Sequence, residues 1–167
     1  MTDVLVAFAS RHGATGELAQ TIGTELLHAG LSVDVRPMDE VDSLVPYSAC
    51  VLGSAVYMGS WMPVARAFLE RHQQLIAERP TWLFSSGPIG EPRAGGAQAF
   101  DAATLLAATH ARDHHLFGGK LDNHSLSLHE RLITRLVRAG DSDHRDWAIA
   151  SAWATAISGA LACEHSA

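Results

Sequence analysis

The stretch "VLVAFASRHGAT", residues 4–15, decides which fold we expect for this chain. It opens on a continuous apolar run, which is typical of a strand buried on both faces of a parallel sheet. The run gives way to a polar loop, "SRHGAT", over residues 10–15. After this loop the apolar residues recur at helical spacing, at Leu18, Ala19, Ile22 and Leu26. The stretch therefore predicts a buried strand, a polar loop and a helix, in that order.

The same alternation of strand and helix continues along the chain. Apolar runs predict further strands over 48–56, 80–87 and 114–121, and alternation of apolar and polar residues predicts a strand near the sheet edge over 31–38. Helical spacing predicts later helices over 64–76, 96–109 and 146–162, the last with Asp146 as its N-cap. Strands that alternate with helices form a parallel sheet covered on both faces. We therefore expect one α/β domain over residues 1–167, with an insertion at about 122–145 before the last helix.

Composition excludes several classes of protein. The formal net charge of -6 argues against a nucleic-acid partner, because nucleic-acid binders usually carry a basic balance. Cys50 lies in an apolar run, and neither it nor Cys163 has the spacing of a zinc site, so we expect reduced thiols and a cytoplasmic location.

His110, His114 and His115 show no ligand spacing and are expected to be solvated or at a strand edge. We therefore predict no metal site.

Three loops follow buried strands, and the carboxyl ends of parallel strands meet at one edge of a sheet, where ligands bind. The first loop, 10–15, leads into a helix N-terminus, which favours an anion. Ser10 and Thr15 offer hydroxyl groups, Gly13 permits close backbone approach, and Arg11 or His12 adds charge. The loop lacks the lysine of a triphosphate loop and the glycine spacing of a dinucleotide fingerprint. It predicts a site for a single phosphate monoester, and an ordinary polar turn is the alternative.

The second and third loops are "GSAVYMGSW", 53–61, and "SSGPIG", 85–90. Their small residues allow backbone amides to reach the edge of a planar polar ring. Tyr57, Met58 and Trp61 offer side chains that could cover the faces of such a ring, and plain packing in the core is the alternative for each of them.

The three loops together resemble those of the flavodoxin family. "SRHGAT" is similar to the family's phosphate loop, Thr/Ser-x-Thr-Gly-x-Thr, and the other two loops stand where the family keeps its flavin-ring loops. The resemblance implies a flavodoxin-like three-layer α/β/α sandwich with a five-stranded parallel sheet of order 2-1-3-4-5, and FMN as the cofactor. The cofactor-binding residues it implies are Ser10, Arg11, His12, Gly13, Ala14, Thr15, Ser54, Ala55, Val56, Tyr57, Met58, Gly59, Ser85, Ser86, Gly87, Pro88, Ile89 and Gly90.

One branch of that family, the flavodoxin-like menaquinone-dependent protoporphyrinogen oxidases, resembles the chain more closely. Its phosphate loop, Thr-Arg-Asp-Gly-Gln-Thr, is similar to 10–15, and its second loop, Gly-x-x-Ile-Arg-Tyr-Gly, is similar to 53–59. The branch also has an insertion before its last helix and an Asp-Trp pair at the start of that helix, as at Asp146 and Trp147. This resemblance implies an oxidoreductase that passes electrons from a small organic substrate to a quinone-type acceptor.

Two other functions remain open from the sequence. The chain could be a flavodoxin-type electron carrier with no substrate of its own, or a binding module that uses a deazaflavin or no flavin. Carriers of this family are strongly acidic around the flavin, whereas Arg11, His12 and Arg93 lie in or beside the loops here. That difference favours the enzyme.

The segment "LSLHERLITRLVR", 126–138, predicts an amphipathic helix. Leu128, Leu132 and Leu136 repeat every four residues, beside a basic stripe formed by Arg131, Arg135 and Arg138. The apolar face either packs on the domain or on a second copy of the chain, or it docks at a membrane surface where a lipid quinone could reach the flavin.

Overall fold

The computed structural model describes residues 3–11, 13–57, 59–87, 102–117 and 142–166. The strands in these ranges are β1 (Asp3–Ala9), β2 (Ser32–Pro37), β3 (Ala49–Tyr57), β4 (Ser60–Trp61), β5 (Thr81–Ser86) and β6 (Asp113–Phe117). The helices are α1 (Ala14–His28), α2 (Pro63–Arg71), α3 (Gln73–Ala77), α4 (Ala102–Thr109) and α5 (Ser142–His165), with a short 3-10 helix over Met38–Glu40.

The strands form a sheet of order β2-β1-β3-β5-β6, in which every neighbouring pair is parallel. Counted over the parallel strands, this is the predicted order 2-1-3-4-5, which is therefore confirmed. The two-residue strand β4 was not predicted; it pairs antiparallel with the end of β3. A strand of two residues is too short to show a hydrophobic period, so the sequence pattern does not predict it. The strand forms because the chain reverses direction at Gly59, which has φ 77.

Helices cover the sheet on both faces, as the three-layer prediction requires. Side chains alternate along each strand, so neighbouring residues face opposite layers. One layer lies against α1 and α5 and contains Val4, Val6, Val51, Phe84, Ile22, Leu26, Trp153 and Ile157. The other layer lies against α2 and α3 and contains Leu5, Cys50, Leu52, Leu83, Trp61, Phe68 and Ile76. Burial raises the pKa of the Cys50 thiol to about 12, so this cysteine is an uncharged core residue as expected.

Two predicted helix boundaries were wrong. The last helix begins at Ser142 rather than after Asp146, so Asp146 lies inside the helix and is not its N-cap. Apolar periodicity marks only the turns that carry a regular apolar stripe, and the sequence "SDHRD" at 142–146 has no apolar residue to mark the start of the helix. The helix predicted over 64–76 is two helices, broken at His72. The predicted residues 96–101 and 118–121, at the ends of a helix and a strand, lie outside the described residues.

The break at His72 interrupts the helical backbone but not its hydrogen bonds. His72 has φ -110 and ψ 14, yet its N–H donates to the Phe68 carbonyl and its own carbonyl accepts from Ile76. The imidazole is 7% exposed and lies 4.7 Å from the Phe68 ring, centroid to centroid. Burial lowers the pKa of His72, and the nearby Arg71 guanidinium lowers it further.

We expect replacement of Gly53 by alanine to destabilise the sheet. Gly53 pairs with Phe84, and a Cβ at residue 53 would lie 2.1 Å from Phe84 Cζ. Phe84 is fully buried with edge contacts to Phe117 and Trp153, so its ring cannot move aside. Gly53→Ala should lower the free energy of unfolding by roughly 1–3 kcal/mol, measured by urea denaturation. Gly159→Ala is the control, because a Cβ there meets nothing within 4 Å and should stabilise α5 by up to about 1 kcal/mol. Equal losses would contradict this account.

His72 should make stability depend on pH. In the unfolded chain a histidine titrates near pH 6.5, whereas the folded protein takes up that proton only at lower pH. Its contribution is therefore complete above about pH 6.5 and decreases as the pH falls below that value, because only the unfolded state gains the proton. Between about pH 7.5 and pH 5.5, the urea concentration at the unfolding midpoint should fall less for His72→Leu than for the wild type. Parallel losses in the two proteins would show that His72 is not responsible.

Candidate functional site

The three predicted loops meet at one edge of the sheet. They follow β1, β3 and β5, which are adjacent strands, and Ala9, Ser54 and Ser85 lie in register across them. The carboxyl ends of parallel strands share an edge, so the sheet order brings together segments that are far apart in sequence.

The first loop is closed by its own serine. Ser10 Oγ accepts a hydrogen bond of 2.9 Å from the Gly13 N–H, and its hydroxyl proton takes no part in that bond. Gly13 has φ 90, a left-handed conformation that favours glycine, and it forms the N-cap of α1. Arg11, Gly13 and Ala14 are exposed, whereas Thr15 is 1% exposed at the start of the helix. The first N–H groups of α1 thus open onto an accessible loop, as an anion site requires. His12 lies outside the described residues.

Gly16 was missed as a residue of this loop. A Cβ at residue 16 would lie 3.0 Å from Cε2 of the Phe8 ring, so the glycine lets the first turn of α1 sit closely on the end of β1. The sequence shows this residue as the second glycine of "HGATG". The reason for a glycine there is the nearby Phe8 ring, which only the structure shows.

The second loop is a hairpin between β3 and β4. Val56 pairs with Trp61 and Tyr57 with Ser60. Ser54 is fully buried; its hydroxyl donates to the Ala55 carbonyl at 2.9 Å and accepts from the Met62 N–H at 3.1 Å. These bonds hold the exit of the hairpin against the end of β3. Ala55 and Val56 are half-buried, and the Tyr57 side chain and Met58 lie outside the described residues.

Trp61 packs in the core. It is 2% exposed and belongs to the layer beside α2, so of the two readings of this residue the structure favours core packing. Its indole N–H donates to Ser85 Oγ at 2.8 Å and so joins the second loop to the strand of the third. The hydroxyl oxygens of Ser54 and Ser85 are therefore engaged with protein groups, and direct contact of either with a cofactor stays a prediction.

The third loop begins with an extension of the sheet. The Gly87 N–H donates to the Phe117 carbonyl at 2.9 Å, which continues the pairing with β6 past the end of β5. Ser86 and Gly87 are half-buried, and Pro88, Ile89 and Gly90 lie outside the described residues. Sequence reasoning missed His114 here: its Nε2 lies 2.7 Å from Ser85 Oγ.

The histidines form no metal site in the part of the chain that the structure describes, where no group of three metal-ligating side chains is found. His114 and His115 lie on β6, the last strand of the sheet order, which agrees with the predicted strand edge. His115 is buried rather than solvated, and its ring packs on Phe117 at 4.4 Å and on Trp153 at 5.8 Å. His110 is exposed.

Comparison with known families agrees with this geometry. The family model of the flavodoxin domain matches residues 5–147. The chain belongs to the flavodoxin domain family. Membership implies FMN as its cofactor and electron transfer as its chemistry. A search of the curated proteins gave no significant match. Over the described residues, none of the helices is both long enough and apolar enough to cross a membrane.

Solved structures share the fold at low sequence identity. Rubredoxin oxygen:oxidoreductase from Desulfovibrio gigas is 14% identical with a TM-score of 0.68; the match covers 100% of this chain and 38% of that protein. This flavodoxin-domain chain thus spans well under half of that larger protein. Megasphaera elsdenii flavodoxin is 16% identical with a TM-score of 0.56, and covers 89% of this chain and 98% of its own. The flavodiiron protein of Giardia intestinalis is 19% identical with a TM-score of 0.55, over 91% of this chain and 37% of its own.

The described residues fit FMN. A monoester phosphate suits the first loop, where α1 begins at a left-handed glycine and two hydroxyl residues flank it. The second and third loops follow the two neighbouring strands and carry small residues, so their backbone amides could reach the edge of a planar ring. The phosphate and the ring would thus lie over β1, β3 and β5.

Proposed function

We propose that this chain is an FMN-dependent oxidoreductase that passes electrons from a small organic substrate to a quinone-type acceptor. The observation that carries the proposal is the meeting of the three loops on adjacent strands, with the α1 N-terminus opening onto the first of them. The resemblance of 10–15, 53–59 and the Asp146-Trp147 pair to the protoporphyrinogen oxidase branch supports the quinone-linked activity. The insertion expected at about 122–145, of which residues 142–145 lie in α5, supports an enzyme, because a simple electron carrier does not need it.

The residues of the chain hold and orient the cofactor. Ser10, Thr15 and the first N–H groups of α1 bind the phosphate, and the exposed Arg11 adds positive charge beside it. The second and third loops receive the ring, with Tyr57 against one of its faces. FMN, when bound, accepts electrons from one molecule and passes them to another, so no side chain has to act as an acid or base.

An electron carrier without its own substrate is the second candidate. Membership of the flavodoxin domain family favours it, because carriers share the same fold and cofactor site. A module that binds a deazaflavin or no flavin is the third. A yellow protein that releases FMN on denaturation would exclude the third candidate, and the acceptor test below separates the first two.

We expect Ser10 and Thr15 to contribute to FMN affinity. Ser10→Ala and Thr15→Ala each remove a hydroxyl group beside the phosphate, and each should weaken binding by about 1 kcal/mol or more, measured by titration of FMN into the apoprotein. Thr21→Ala is the matched control, since Thr21 lies on the same helix and its hydroxyl donates only to the Glu17 carbonyl among the described residues. Unchanged affinity in the double variant would remove the phosphate site from this loop.

The acceptor test also addresses the membrane. Protein reduced without oxygen is mixed with a soluble quinone, or with a quinone held in anionic vesicles, and flavin absorbance is followed. We expect rapid oxidation by both, with the vesicle reaction weakened by salt. Changing Arg131, Arg135 and Arg138 to glutamate should slow only the vesicle reaction and leave FMN bound. These three residues belong to 126–138, which lies outside the described residues.

Each outcome of this test has a definite meaning. No oxidation by either quinone would contradict the quinone-linked enzyme and favour the carrier. An unchanged vesicle reaction in the triple variant would contradict membrane contact, and the apolar face of 126–138 would then serve packing on the domain or on a second copy.

A further inference from the structure

Three polar side chains form a chain of hydrogen bonds beneath the second and third loops. The Trp61 indole Nε1–H donates to Ser85 Oγ at 2.8 Å, and Ser85 Oγ lies 2.7 Å from His114 Nε2. Trp61 and Ser85 are buried, at 2% and 0% exposure, and His114 is half-buried. We call these three residues the relay. It links β4, β5 and β6, which are successive strands of the chain with helices between them.

The chemistry of the indole sets the direction of one of the two hydrogen bonds, and the tautomer of His114 sets the direction of the other. An indole N–H can only donate, so Ser85 Oγ accepts from Trp61. The single hydroxyl proton of Ser85 then points to His114 Nε2 when the imidazole carries its own proton on Nδ1. In that tautomer His114 determines which way the Ser85 hydroxyl is turned, and the Ser85 oxygen accepts from the indole N–H.

The backbone explains why His114 can reach Ser85. His114 pairs with Leu83, and Leu116 pairs with Ser85. Since Leu83 and Ser85 are two residues apart on one strand, their side chains share a face of the sheet with that of His114. The imidazole therefore has to reach two residues along the strand direction to contact Ser85. The same face holds Trp61, packed in the core layer beside α2. The relay thus lies on one face of the sheet, near the carboxyl end of β5.

We propose that His114 is a positioning residue for the cofactor site. Through Ser85 it holds the Trp61 indole, and through Trp61 it holds the β3–β4 hairpin, which carries Tyr57, against the strand that leads into the third loop. The gap between the two loops that receive the ring is then set by this relay. The inference rests on the proposed FMN site, and it adds a residue that neither the loop motifs nor the resemblance pointed to.

The test compares three variants. His114→Leu removes the acceptor, His114→Gln replaces Nε2 with an amide that can accept from Ser85, and His115→Leu changes the opposite face of the same strand. The first measurement is the hydrogen-exchange rate of the Trp61 indole N–H by nuclear magnetic resonance in the FMN-free protein, with Trp61→Phe to assign the signal. The second measurement is FMN affinity.

We expect His114→Leu to speed the indole exchange and to weaken FMN binding roughly fivefold, the equivalent of one net hydrogen bond. His114→Gln should restore both values toward those of the wild type. His115→Leu should lower thermal stability by loosening the contacts with Phe117 and Trp153, while leaving both measurements unchanged.

Two results would overturn the inference. If His114→Leu leaves the indole exchange as in the wild type, the relay does not hold Trp61. If the indole exchange of His114→Leu speeds up but its FMN affinity does not change, the relay is structural and does not position the site. The same conclusion follows if His115→Leu lowers the FMN affinity as much as His114→Leu does. Failure of the wild type to bind FMN would contradict the proposed function, and with it the positioning role, while the exchange rates would still decide the relay itself.

Discussion

The pairing of β3 with β1 on one side and β5 on the other is the constraint on which the rest of the molecule depends. β3 hydrogen-bonds to both neighbours along most of its length, and helices cover both of its faces. Gly53 belongs to this pairing, since its missing side chain makes room for the Phe84 ring of the adjacent strand. A parallel arrangement of these three strands also puts their carboxyl ends at one edge, and the candidate site is that edge.

The site is built in two layers. The upper layer consists of the three loops, and in the first of them the left-handed Gly13 is the N-cap of α1. The lower layer consists of buried hydroxyl groups that hold the loops in place. Ser54 Oγ accepts a hydrogen bond from the Met62 N–H just after the hairpin, and Ser85 Oγ accepts one from the Trp61 indole. Buried polar groups are costly unless they are hydrogen-bonded, so these serines are constrained to their partners and give the loops a defined position. Function in this fold then depends on which side chains and backbone groups the three loops carry.

Much of the fold follows from local patterns. The apolar runs and helical spacings predicted the five parallel strands and the helices, because burial imposes a period that the residues must match. The order of the strands in the sheet came from the resemblance to the flavodoxin family, since no local period records it. The candidate loops were also predictable, since each follows an apolar run and carries glycine and hydroxyl residues. Helix ends were harder to predict. The start of α5 at Ser142 has no apolar residue to mark it, and the break at His72 lies within a continuous apolar stripe.

The sequence by itself determined the fold class and the place of the three loops along the chain, because these depend on residue types at short spacing. The phosphate site in the first loop stays a prediction. Only the tertiary structure decided that Trp61 is a core residue, that Ser54 and Ser85 bond inward, and that His114 lies beneath the third loop. Trp61 and Ser85 are 24 positions apart, and Ser85 and His114 are 29 apart. No local pattern records contacts of that separation, because they arise from the register of strands that meet only when the sheet has formed.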